Sequence, residues 1–168
     1  MSKMEGLETV GPAKKVGAVS FSGLTCNGQP FTQKVLELRL AFDSDKTAAM
    51  GPDSLAIDYQ ATEGGRFLQS FVTAVEAKLE PTVSAIKEKT SSITLKVSNH
   101  TRWWDDQNAV FIRPEVVPRG STINVVLRPS FWKKGDESGV RFGCIDVQLT
   151  SLNEAQEALA RCPFEAGS

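Results

Sequence analysis

Apolar and polar residues alternate through most of this chain, and the alternation gives way to a three- and four-residue period in one long central stretch. Lys34 to Asp43 places Leu36, Leu38, Leu40 and Phe42 on one face and Val35, Glu37 and Arg39 on the other, the pattern of a strand buried on one side. Val16 to Thr25 reads as an earlier strand with Val19 and Phe21 inward, closed by the turn signal Asn27-Gly28. Leu55 to Tyr59 is a short third strand, reached through a loop over Asp43 to Ser54 that contains Gly51-Pro52. After Gly64-Gly65, Phe67, Leu68, Phe71, Val72, Val75 and Leu79 recur at helical spacing and predict an amphipathic helix over Arg66 to Glu80, which Pro81 either stops or follows with a further helical turn through Ile86. Ser92 to Ser98 returns to alternation with Ile93, Leu95 and Val97 inward. Asn99 to Gly120 reads mostly as loop, with a short strand over Ala109 to Arg113. Ser121 to Trp132 and Val140 to Leu149 form two strands joined as a hairpin.

Three strands, a helix and further strands suit a mainly β fold: an OB-fold-like small β-barrel with one amphipathic helix at about 66–80. A β-sandwich with one helix has nearly the same element order. Residues 1–15 mix Gly, Pro, Lys and Glu without period and read as a flexible arm, and 16–150 as the folded domain. Residues 151–168 read as a short C-terminal helix and tail, since Ser151-Leu-Asn-Glu154 has capping-box spacing.

A chain of 168 residues suits one domain with tails, and 40% apolar with 23% charged residues is ordinary for a soluble globular protein. The formal charge of -1 excludes a bulk polybasic or polyacidic protein, so any contact with nucleic acid has to come from a local patch. No run is apolar enough for a signal peptide or a bilayer span, which leads to the expectation of a soluble intracellular product without membrane contact. Cys26, Cys144 and Cys162 are far apart and lack metal-ligand spacing, and His100 has no paired nucleophile near it in sequence. No cofactor or metal is expected. The adjacent Asp105 and Asp106 raise the question of a metal-dependent nuclease, but the other acids are scattered and no phosphate loop or hydrolase motif is present, so the protein is not read as an enzyme.

Within this neutral chain, Ser92 to Lys134 holds seven Lys or Arg against three acids, a local excess of +4. Strand parity puts Arg128 and Trp132 on one face of Ser121 to Trp132, opposite Ile123, Val125, Leu127 and Phe131. A cation and an aromatic plane on one surface are what a single strand of nucleic acid needs, since cations follow phosphates and an aromatic face stacks a base. The bland alternative is that Trp132 caps the end of the barrel and Lys133 and Lys134 solvate a turn. Arg102-Trp103-Trp104 repeats the theme; adjacent tryptophans point to opposite faces, so one of the two is expected in the core. The candidate contacts are therefore Lys96, Arg102, Arg113, Arg128, Lys133, Lys134 and Arg141 for phosphates, with Trp103, Trp104, Phe111 and Trp132 as stacking platforms, Phe111 being a second expected core member.

The segment from Gly120 to Leu149 resembles the last hairpin of single-stranded-DNA-binding proteins of phages and large DNA viruses, through Trp132, Lys133, Gly135, Gly139, Val147 and Gln148. The resemblance implies an OB-fold that coats single-stranded DNA in replication or recombination. The end of the chain, Arg161-Cys-Pro-Phe-Glu-Ala-Gly-Ser168, lacks the acidic run with which many such proteins recruit replication enzymes, which argues against a partner-recruiting tail. RNA as ligand and self-association stay open beside DNA. The reading from another class is a structural or assembly protein, such as a viral β-sandwich shell or scaffold subunit, whose exposed aromatics bury against neighbouring copies.

Overall fold

The two longest strands among the described residues are joined by a two-residue turn. In the computed structural model, which describes residues 6–44, 54–110 and 117–151, β9 (Thr122–Lys134) pairs antiparallel with β10 (Glu137–Ser151), from Thr122 opposite Ser151 to Lys134 opposite Glu137. The two intervening residues are Gly135 and Asp136, and Gly135 has φ +58°, the positive angle that two-residue hairpin turns place on glycine.

Eight further strands and one helix precede this hairpin: β1 (Leu7–Val16), β2 (Val19–Cys26), β3 (Gln29–Pro30), β4 (Gln33–Leu40), β5 (Ser54–Asp58), α1 (Glu63–Leu79), β6 (Ile86–Lys87), β7 (Ser92–Lys96) and β8 (Arg102–Trp104). The pairings close on themselves, from β9 to β4, β5, β7 and β10 and back to β9, with β7 and β10 parallel where the ring shuts at Lys96 opposite Gly143. A mainly β chain with one helix and this ring of strands is OB-like. Inside it, Leu38, Leu55, Ile57, Ile93, Leu95, Ile123 and Leu127 are fully buried. Such side chains contribute about 1.5–3 kcal/mol each on burial.

Helix α1 covers this core with Leu68, Phe71, Val72 and Val75, one stripe at three- and four-residue spacing. Phe71 stands between Phe31 and Phe142, at ring separations of 5.7 and 5.9 Å. The helix begins three residues before the predicted Arg66, because the Thr62 hydroxyl accepts from the Gly65 N–H at 2.9 Å and caps it. Gly64 is required there: a Cβ would lie 1.8 Å from the Leu36 carbonyl oxygen, so the helix approaches β4 backbone to backbone. At the other end Glu80 turns left-handed before Pro81.

The strands β9 and β10 outrun the ring. β4 pairs with β9 only up to Leu127, and from Ser130 onward the same edge of β9 is taken by β2, backed by β1. Pro129 falls between the two partners, where a residue without a backbone N–H does least harm to a ladder. The result is a wing of β1, β2, β9 and β10 standing beyond the ring.

Four expectations change. Leu36 is exposed at 48% while Val35 is buried, because a bulge between Val35 and Leu38, with Glu37 at φ +58°, shifts the alternation, and Phe42, exposed at 44%, lies beyond the end of β4 at Leu40. Residues 7–15, expected within a flexible arm, belong to β1, since ladder hydrogen bonds to β2 do not depend on side-chain periodicity. Arg102–Trp104, read as loop, is a strand held parallel to β10. Val19 and Phe21, expected to face the core, are only half-buried, because β2 belongs to the wing. The predicted C-terminal helix and tail, the loop residues 45–53 and most of the predicted strand at 109–113 lie outside the described residues.

Candidate nucleic-acid interface

In an antiparallel ladder, residues directly opposite each other project from the same face, so the register of the wing dictates which side chains meet. Phe21 on β2 stands opposite Trp132 on β9, and Trp132 opposite Gly139 on β10. One step along, Gly23, Ser130 and Arg141 form a row. The next row is Arg128, Gly143 and, across the parallel pairing, Lys96 on β7. Lys14 on β1 completes the first row beside Phe21. This outer face thus mixes aromatic rings and cations with glycines and one serine, residues too small to fill the space beside them.

Three adjoining concavities of about 580, 340 and 260 Å³ occupy that space. Arg141 lines all three, and its guanidinium carbon lies 5.6 Å from the centre of the Phe21 ring, a cation–π contact. Lys14, Lys87, Lys96 and Arg128 supply four more cations, and among the described residues no carboxylate lines any of the three. The largest concavity runs between Phe21 and Trp132 on one side and the segment Val83 to Ala85 on the other. That opposite wall is tied down twice. Thr82 and Val83 bond to Ser138 of β10 through the Thr82 and Ser138 hydroxyls and the Ser138 carbonyl, and the Ala85 N–H donates to the Glu76 carboxylate at 2.7 Å.

Trp132 lies against Gly139 so closely that a Cβ at 139 would stand 2.6 Å from the indole. The glycine is what lets the ring settle on the strand instead of standing away from it.

A second cluster sits farther along β10. A bulge between Cys144 and Asp146 reverses the facing of that strand, so Asp146 projects outward beside Arg102 and Val147 inward beside Trp103. Asp146 accepts from the Trp104 indole N–H at 2.9 Å and pairs with Arg102 at 2.8 Å, while the Arg102 guanidinium lies 5.8 Å from the Trp104 ring. This is the one salt bridge among the described residues. Asp105 turns away from the basic face and accepts the N–H groups of Gln107 and Ala109, fixing its own turn. Among the described residues no group of three or more His, Cys, Asp or Glu stands together as metal ligands would. Cys144 is buried, and burial pushes its thiol up to about 12, so it stays protonated and unreactive.

Of the residues singled out in the sequence, Lys96, Arg128, Trp132 and Arg141 come together at the concavities. Arg102 and Trp104 join Asp146 in the second cluster. Trp103 is corrected: at 2% exposure it belongs to the core, since Val147, its partner on β10, faces inward, and it is no stacking platform. Lys133 and Lys134 are exposed at the hairpin end and line none of the three concavities. Phe111 and Arg113 lie outside the described residues. Phe21, Lys14 and Lys87 escaped the sequence reading. Phe21 carried one signal in the sequence, its place between the polar Ser20 and Ser22.

The fold and this site together can be set beside known proteins. Solved structures of phage single-stranded DNA-binding proteins share the fold. The single-stranded DNA-binding protein from bacteriophage Enc34 matches with a TM-score of 0.51 at 15% identity, over 95% of this chain and 94% of that one. Its C-terminal truncation gives 0.51 at 15% identity over 87% and 97%. The same protein in complex with ssDNA gives 0.50 at 14% identity over 84% and 95%. No protein-family model and no curated protein sequence matches this chain. At such identities the likeness concerns the fold, and it reaches well beyond the hairpin of residues 120–149. No helix among the described residues is long and apolar enough to cross a membrane.

Proposed function

We propose that this protein binds single-stranded DNA without catalysing a reaction on it, coating single strands during replication or recombination. The observation that carries the proposal is the face shared by the wing and the adjoining β6 and β7: five cations with the Phe21 and Trp132 rings around three joined concavities, with no carboxylate in their lining among the described residues. Phosphates would lie along Lys14, Lys96, Arg128 and Arg141, and bases would stack on Trp132 and Phe21. Each stacked base contributes about 1–3 kcal/mol and does so for any sequence, because every base has a π-face. The similarity in fold to a phage protein solved in complex with ssDNA supports the same reading. DNA is favoured over RNA on that similarity alone.

Titration of tryptophan fluorescence with oligo-dT at two salt concentrations tests it. The expected result is quenching with an affinity that falls steeply as salt rises, because each phosphate neutralised releases counterions. Absence of quenching by single-stranded DNA and RNA alike at low salt would overturn the proposal. Oligomers indifferent to salt and to nucleic acid would favour the assembly reading instead.

A further inference from the structure

The middle concavity holds a side chain to which the preceding section assigns no part. Its lining includes Lys96 from β7, Arg128 from β9, Arg141 and Cys144 from β10, and His100 from the turn between β7 and β8. That turn is pinned in place. The Thr101 hydroxyl donates to the Cys144 carbonyl at 2.7 Å and accepts from the Ser98 N–H at 3.0 Å, and the His100 N–H donates to the Ser98 hydroxyl at 3.1 Å. The His100 backbone is therefore fixed to the strand that carries Arg141, while its side chain is exposed and its ring has no hydrogen-bond partner among the described residues. The charged groups that share the concavity are all cations, and the Cys144 thiol there stays protonated. The outward carboxylate of β10 beyond it, Asp146, is occupied by Arg102 and Trp104.

We propose that Lys96, His100, Arg128 and Arg141 form one phosphate-holding subsite of the interface, to which His100 adds a charge when protonated, so that single-stranded DNA is bound more tightly at pH 5.5 than at pH 8.0. The proposal rests on the reading of this face as a nucleic-acid interface. Its physical basis is simple. A phosphodiester keeps its charge at all these pH values, and imidazole is the side chain whose ordinary titration falls between pH 5 and 8. A phosphate bound among these cations attracts the charged imidazole and supplies an acceptor for its ring N–H. The single histidine of the chain makes the effect assignable.

The test is the affinity of the full chain for oligo-dT between pH 5.5 and 8.0, in the wild type, His100→Gln and His100→Lys; thymine does not titrate in this range. The wild type is expected to bind roughly two- to fivefold more tightly at pH 5.5 than at pH 8.0, the magnitude of one exposed charge contact. The dependence of log affinity on log salt is expected to steepen by about 0.7 at the lower pH, as for one further phosphate neutralised on a single strand. His100→Gln should bind with the weaker affinity at both pH values, and His100→Lys with the tighter affinity at both. Binding by the wild type that does not change with pH, or a pH response that survives in His100→Gln, would overturn the subsite while leaving the interface standing. Failure of all three proteins to bind at any pH would overturn both.

Discussion

Trp132 rests on Gly139. The two are direct partners across β9 and β10, and the absence of a side chain at 139 is what allows the indole to lie there. Gly139→Ala is expected to push the ring off the strand, because the added Cβ would stand 2.6 Å from it. Affinity for oligo-dT should fall about tenfold, within the range of losing one stacked base. A fluorescence titration checks this, and an unchanged affinity together with an unshifted tryptophan emission would show that the ring does not need its glycine.

Phe21 distinguishes the interface from the core. It is half-buried beside Trp132 and under Arg141, so Phe21→Ala should weaken binding several-fold and leave the midpoint of urea unfolding nearly unchanged. Trp103→Ala should do the reverse and destabilise by about 3–5 kcal/mol, the usual range for truncating a buried aromatic. Equal losses of stability in the two variants would place Phe21 in the core after all.

Asp146 is the outward carboxylate of the second aromatic and basic cluster, where it occupies Arg102. Asp146→Asn keeps an acceptor for the Trp104 indole N–H and removes the charge. Because Arg102 is 61% exposed, the lost ion pair should cost less than about 1 kcal/mol of stability. Arg102 would then be free for phosphate, and affinity at low salt should rise about two- to fivefold. Weaker binding by this variant would mean that the ion pair positions Arg102 for the ligand instead of withholding it.

Cys144 sets an alkaline limit on stability. Its thiol is raised from 9.0 to about 12 by burial, so between these values the unfolded chain has lost a proton that the folded chain retains. Stability attributable to this group is therefore complete below pH 9 and is lost as pH rises toward 12. By pH 10.5 the loss is expected to reach about 2 kcal/mol. Urea unfolding at pH 8.5 and 10.5 measures it in the wild type and in Cys144→Ala, which should be less stable at pH 8.5 but lose less on going to 10.5. An equal loss in both would assign the alkaline weakening to other groups.

The elements with a strong period were legible in the chain. Helix α1, β5, β7 and the β9–β10 hairpin stand where the spacing of Leu68 to Leu79, Leu55 to Tyr59, Ile93 to Val97 and Ile123 to Leu149 puts them. So was the division of Phe131 from Trp132 onto opposite faces of β9, because parity along a strand is a local property. The exposure of Leu36 was not legible, since a bulge adds one residue to the count and shows no mark in hydrophobicity. Nor was β8, whose three residues carry no period and become a strand only because β10 lies alongside.

The composition of the candidate interface divides in the same way. Local sequence determined that Arg128, Trp132 and Arg141 would share a hairpin, and that a neutral chain holds a basic segment. Only the tertiary structure decided that Phe21 and Lys14 join them, because β2 takes over the edge of β9 from β4 after Pro129. It also sent Trp103 inward and Trp104 to Asp146. The physical reason is that side-chain alternation specifies which residues share a face of one strand, whereas which strands lie side by side is settled by pairings between residues more than a hundred positions apart.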